Sequence, residues 1–296
     1  MRATSTTTTS SAATPASDRP RFEQGLPVKK KILPAALAFA GLAGGASAEA
    51  DEAAYTVNGN VALTSDYVFR GLTQTWGRPA IQGGADLTMK NGFAAGLWGS
   101  SVSDGSYPGG STELDLYASY GRPIDEDWSW RAGLYGYLYP GANLDEAGLR
   151  SRSFNTVEAN LAVSWKQWTL KWNRALTDYF GVDREQGYRG DSKGTTYWQL
   201  EGAYPLSPRW TLTVRAGYTD YGTELIAPNA DGARDPSYAD FGLGLKYQID
   251  ARWSLIGVAT HATNARFYRH TASFDDANDT RDVGGTRGFV QLQGTF

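Results

Sequence analysis

The sequence predicts an all-β fold, a transmembrane antiparallel up-and-down β-barrel of about twelve strands. Three observations carry this expectation. Apolar and polar residues alternate with period two along about twelve segments, each near the nine to eleven residues that a tilted membrane strand needs. The connections alternate short and long, as in a barrel with tight turns on one side and longer loops on the other. A Trp recurs one residue into strands that follow short turns. Composition removes the competitors. With no Cys among 296 residues there is no disulfide scaffold and no thiolate metal or nucleophile site. No window beyond the N-terminal region approaches the run of about 18 to 20 apolar residues that a spanning helix requires. The mean hydropathy of -0.43 reads as a soluble chain, yet 10 Trp, 17 Tyr and 11 Phe are heavy for one and argue against disorder.

The chain divides into 1–48 and 49–296. Lys29, Lys30 and Lys31, an apolar run over 32–43 and the box Ala46-Ser47-Ala48 have the order of a cleaved secretory signal peptide. The Thr-, Ser- and Ala-rich stretch ahead of the lysines points to a translation start inside the chain, at Leu26 or Val28. Residues 1–48 hold six Lys or Arg against Asp18 and Glu23, so the whole-chain charge of -3 becomes -7 for 49–296. An acidic exported chain is no nucleic-acid binder on electrostatic grounds.

The first strand segment puts Tyr55, Val57, Val61, Leu63, Tyr67 and Phe69 on one face and Thr56, Asn58, Asn60, Thr64, Asp66 and Arg70 on the other. Eleven more follow, near 79–90, 92–102, 112–121, 128–139, 154–165, 167–178, 194–204, 209–221, 238–248, 252–263 and 286–296. Short turns lie at 90–92, 121–125, 166–167, 205–208 and 248–251, and long polar stretches at 71–78, 103–111, 140–153, 180–193, 222–237 and 264–285. Trp128, Trp168, Trp210 and Trp253 each sit just past a short turn. That is the level of a membrane interface, where an indole keeps its ring in the apolar boundary and its N–H toward water. The last strand alternates Gly288, Val290, Leu292, Gly294 and Phe296, and a terminal aromatic there is similar to the signal that the barrel-assembly machinery reads.

The run Ser65-Asp66-Tyr67-Val68-Phe69-Arg70-Gly71-Leu72-Thr73-Gln74-Thr75, followed by Pro79-Ala80-Ile81-Gln82-Gly83 and Asp86, resembles the opening motif of the TorF family of porins. Gly96-Leu97-Trp98-Gly99-Ser100, Glu113-Leu114-Asp115-Leu116-Tyr117 and Tyr137-Leu138-Tyr139-Pro140-Gly141 follow that family's pattern in the same order. The resemblance is specific to about residue 141 and looser beyond. It implies a Gram-negative outer-membrane barrel, and it implies no solute and no catalytic residues.

If the apolar face meets lipid, the other face supplies a lumen lined by Asp66, Arg70, Asp86, Glu113, Asp115, Arg131, Glu158, Lys171, Glu201, Arg215, Asp240 and Lys246. Charges in strand interiors belong there, because Arg or Lys facing lipid at mid-membrane costs about 2 to 4 kcal/mol. Seven of the twelve are acidic, which predicts at most a mild cation preference. The alternative is that these charges pair across the barrel and plug it, since twelve strands lie between filled and open barrels. Two places resist the scheme. Arg174 is in phase with Trp172 and Leu176 on the lipid face, which requires a bulge or a side chain snorkelling to an interface. The strand 252–263 has apolar residues on both faces, which leaves its inside open.

The expected function is an outer-membrane porin-like channel passing small solutes or ions by diffusion. Its expected partners are outer-membrane lipid, the assembly machinery and the solutes, with no cofactor and no metal. The alternatives are a non-conducting structural or adhesive barrel and, less favoured, a barrel enzyme. The two histidines, His261 and His270, have no Ser at a nucleophile spacing. Asp275, Asp276, Asp279 and Asp282 could hold Ca²⁺ loosely, but they lack the fixed spacing of a calcium loop and read as a solvated acidic loop.

Overall fold

A strand that alternates apolar and polar residues can bury both faces only by closing into a barrel with lipid outside and a polar interior. The chain does close. The structure, a computed structural model, describes residues 54–226 and 233–296, and the predicted signal segment 1–48 lies outside them. The barrel strands are β1 Tyr55–Thr64, β2 Ala80–Met89, β3 Phe93–Ser101, β4 Thr112–Pro123, β5 Trp128–Leu138 and β6 Thr156–Trp165. They continue as β7 Trp168–Ala175, β8 Thr196–Pro205, β9 Trp210–Asp220, β10 Tyr238–Gln248, β11 Trp253–Ala262 and β12 Gly285–Thr295. Each pairs antiparallel with its sequence neighbour, and β12 closes on β1 from Asn60↔Thr295 to Thr64↔Gln291.

The outer face is apolar: Leu63, Ile81, Leu134, Leu243 and Val290 are each more than half exposed. A row of large exposed aliphatic side chains is the surface that a barrel presents to lipid. The recurrent Trp has a local cause in the turns. Asp125 accepts the N–H groups of Asp127 and Trp128 at 2.9 and 2.8 Å, and Asp250 accepts those of Arg252 and Trp253, both at 2.8 Å. Ser207 does the same for Arg209 and Trp210. A short polar side chain therefore closes the turn three residues before the Trp.

Register decides both places that the sequence left open. Pairing with β12 sets Ser254 opposite Gln293, Ile256 opposite Gln291 and Thr260 opposite Arg287, so β11 turns Ser254, Ile256, Val258, Thr260 and Ala262 inward. Around Arg174 the ladder is unbroken on both sides, Ala159↔Arg174 and Thr196↔Arg174, which removes the bulge. Its side chain is exposed on the outer face at the long-loop end of β7, placed to snorkel.

One element departs from expectation. The first strand was to continue through Tyr67 and Phe69, but β1 ends at Thr64 and the chain turns into the barrel. Val68–Phe69 and Leu72–Thr73 pair as a small hairpin turned by Arg70 and Gly71, both at positive φ (47° and 80°). Asp66 and Arg70 are thus hairpin residues, not strand residues. Alternation could not reveal this, because an inward hairpin of paired residues keeps the same period of two.

Candidate functional site

The hairpin over 65–79 crosses the interior at the long-loop end. Tyr67 meets Trp98 of β3 edge to face at 5.4 Å, and Gly71 lies against Asp240 of β10 and Ala262 of β11. A Cβ on Gly71 would sit 2.8 Å from the Asp240 Cβ and 3.0 Å from that of Ala262, so this approach admits only glycine.

Arg70 at the tip enters a socket on the wall. Its Nη1 donates to Glu158 Oε1 and to the Tyr179 hydroxyl, both at 2.9 Å, and its Nη2 donates to Glu158 Oε2 at 2.7 Å. The guanidinium carbon lies 4.2 Å from the Tyr197 ring centre and 4.7 Å from that of Phe69. Arg70 and Glu158 are both buried. Tyr137 donates to Glu158 Oε2 at 3.2 Å, and burial pushes the Tyr179 hydroxyl up to about 12, so it stays neutral. A non-glycine residue at positive φ costs on the order of 1 to 2 kcal/mol. Charge-assisted hydrogen bonds, each about 1.5 to 3 kcal/mol, offset it.

Further ion pairs fix the layer. Asp66 takes Arg287 Nη1 at 2.9 Å and the hydroxyls of Thr73 and Thr75 at 2.5 and 2.9 Å. Arg215 approaches Asp240 Oδ1 at 3.1 Å, while Tyr197 donates to Asp240 Oδ2 at 2.9 Å. The loops then roof the hairpin with rings. Tyr107 stacks on Tyr139 at 4.3 Å, Phe154 packs on both, and the Tyr107 hydroxyl bonds Gln74. Glu113 is fully buried beside Tyr67, Tyr107 and Tyr139, whose hydroxyls are pushed up first by burial and next by the Glu113 charge. Asp115 sits one inward position further along β4, opposite Tyr137.

Toward the short-turn end exposure is mixed: Ser164, Thr169, Lys246, Ser254 and Gln293 are buried, while one ion pair keeps some contact with water. Lys171 pairs with Glu201 at 2.6 Å with side chains 16% and 14% exposed. Asp86 accepts from Tyr117 at 2.7 Å, and Arg131 and Lys246 face the same space, while at mid-barrel Asn160 donates to the buried Asn173 at 2.7 Å. All twelve predicted lumen residues point inward, ten from strands and two from the hairpin. Trp128, Trp168, Trp210 and Trp253 stand on the outer face at the short-turn end, where Trp128 adjoins Trp165 and Trp210 adjoins Tyr247. Phe296 is exposed, and its main chain bonds Gly59 in both directions, at 2.9 and 3.0 Å.

The acidic loop is dispersed. Asp279 accepts from the Trp76 indole at 2.9 Å and Asp282 faces Arg269, and no cluster suited to a metal occurs among the described residues. His261 faces outward with Nδ1 2.7 Å from Thr286 Oγ1, and His270 lies near Asp282.

A model of the family described as "Bacterial protein of unknown function (Gcw_chp)" matches residues 47–296. The chain belongs to the Gcw_chp family. No curated protein matches this Gcw_chp chain. Among solved structures it is similar to the KdgM porin (11% identity, TM-score 0.47, 81% of this chain and 98% of that one). It is also similar to the NanC porin (10%, 0.48, 81% and 99%) and to OprD of Pseudomonas aeruginosa (15%, 0.36, 82% and 66%). Within the Gcw_chp barrel, sequence reasoning missed Arg287 and the tyrosines of the Arg70 socket. Arg287 was findable, because it falls out of phase with Gly288, Val290 and Leu292 and so must face in. Tyr179 and Tyr197 carried no signal, since a tyrosine reads alike as lining, girdle or core.

Proposed function

We propose that the protein is an outer-membrane channel of the porin type, closed at its long-loop end by the hairpin over 65–79 and conducting small solutes or ions when that hairpin leaves the lumen. The observation that carries this reading is a closed wall with an apolar outside and an inside of charges, amides and hydroxyls, in which the Lys171–Glu201 pair stays partly exposed. The resemblance to TorF porins agrees with it. Counting Arg287, seven acidic and six basic side chains face inward, and among the described residues the acids Asp86, Glu113 and Asp115 and the base Arg131 form no ion pair. A mild cation preference follows.

The test is planar-bilayer recording of the refolded protein beside a variant whose residues 66–76 are replaced by a short Gly-Ser link. We expect small, infrequent openings from the intact chain and steady current from the variant, with reversal potentials weakly favouring K⁺ over Cl⁻. Clear anion selectivity would refute the charge argument. Silence of both proteins at every voltage would leave the non-conducting structural barrel as the better reading.

A further inference from the structure

The socket around Arg70 belongs to the wall, and only its occupant belongs to the hairpin. Glu158 stands on β6, Tyr137 on β5 and Tyr197 on β8, while Tyr179 comes from the loop after β7. These groups are held by contacts that do not involve Arg70. Tyr137 donates to Glu158, and the Tyr197 hydroxyl is anchored on Asp240. Gly217 leaves the room that this anchor needs, since a Cβ there would collide with the Tyr197 hydroxyl and the Asp240 carboxylate. The Tyr179 backbone N–H is fixed by Ser192 Oγ at 2.7 Å.

A bidentate carboxylate facing a planar cation, with an aromatic face 4.2 Å from its centre, is how proteins bind free guanidinium and ammonium ligands. The backbone gives no reason for arginine at position 70, because the first central residue of a tight hairpin turn with φ 47° favours Asn, Asp or Gly. Arg70 is therefore explained by its side chain alone. An anionic ligand for Arg70 is the weaker reading, because both terminal nitrogens are already engaged and the residue is 5% exposed.

We propose that Arg70 is a tethered occupant of a solute-binding site, and that the free ligands of this site are small solutes bearing a guanidinium or primary ammonium group. The inference rests on the channel reading above, since it names the solute class that the lumen takes. A tethered group competes at an effective concentration in the millimolar range, so a free solute displaces it only at comparable or higher concentration, and removing Arg70 uncovers the site.

The experiment compares the full-length folded protein with Arg70→Ala and with Arg70→Ala/Glu158→Gln, using agmatine as the guanidinium probe, putrescine as the ammonium probe and malonate as the anionic control. Arg70→Met, which keeps the aliphatic stem, replaces Arg70→Ala if that variant does not fold. Calorimetry is expected to show agmatine binding to Arg70→Ala with a Kd of about 0.1 mM, about tenfold weaker binding to the intact chain, and a loss of about tenfold from the Arg70→Ala value when Glu158→Gln removes a charge-assisted contact. In bilayers, agmatine but not malonate should interrupt the Arg70→Ala current. Agmatine binding that Glu158→Gln leaves unchanged, or no preference over malonate, overturns the site. Binding with the expected Glu158 dependence but no current from any variant upholds the site and defeats the channel reading. Current without binding does the reverse.

Discussion

At the long-loop end Glu113, Glu158, Thr156, Thr219 and Asp240 are no more than 1% exposed, whereas at the short-turn end Lys171 and Glu201 keep 16% and 14% of their side chains within reach of water. Both regions hang on the same strands with the same alternation. What separates them is the material that enters from the loops: a hairpin with Arg70 at its tip, and a roof of Tyr107, Tyr139, Phe154 and Tyr179. Buried ion pairs at the long-loop end lose much hydration and persist only through near-ideal geometry, which the bidentate Arg70–Glu158 pair supplies. A partly exposed pair such as Lys171–Glu201 contributes less to stability and more to the field that a passing ion meets.

Substitutions can break this contrast in graded steps. The largest effect belongs to Glu158→Ala, which leaves the Arg70 charge buried without its carboxylate. We expect about 3 to 5 kcal/mol off the plugged state, read as a lower urea midpoint in detergent and more frequent openings. Next is Gly71→Ala. Its Cβ would strike Asp240 and Ala262 at a φ of 80°, and on the order of 1 to 3 kcal/mol of strain should drive the hairpin outward, seen as faster proteolysis within 65–79. Lys171→Gln in the partly exposed pair is expected to change stability by about 1 kcal/mol or less while freeing the Glu201 charge, and to move the reversal potential further toward K⁺. The smallest is a pH effect in the short turn before β11. The N–H groups of Trp253 and Arg252 hold the Asp250 carboxyl below its usual range. Its contribution is full above the unfolded value of about 3.9 and is lost as pH falls through the folded value. Thus Asp250→Asn should flatten the acid limb of the stability curve slightly.

The wall was legible because lipid and water impose opposite demands on alternate residues, so the twelve strands, and the faces of all but β11, could be read from Val57, Leu63, Val290 and their like. The face of β11, with Ile256 and Val258 inside, was decided by pairing with β12. The plug was not legible. Tyr67 and Phe69 continue the phase of β1, and Arg70-Gly71 lacks the Asn-Gly or Asp-Gly signature of a hairpin turn. The socket was harder still, since Glu158, Tyr179, Tyr197 and Asp240 meet only through closure of the barrel. Long polar stretches read as solvated loops, yet rings within them, Tyr107 and Tyr268 among them, pack into two buried clusters.

The sequence distances spanned by the hairpin's anchors order the events of folding. Arg70 waits for Glu158, 88 residues later, and Trp76 for Asp279, 203 residues later, while Asp66 waits for Arg287 on the final strand, 221 residues later. Contacts this remote form after the local hairpins of the wall. The plug can therefore seat fully only when β12 has joined β1. The docking of one short hairpin is thereby tied to the strand that shuts the last seam.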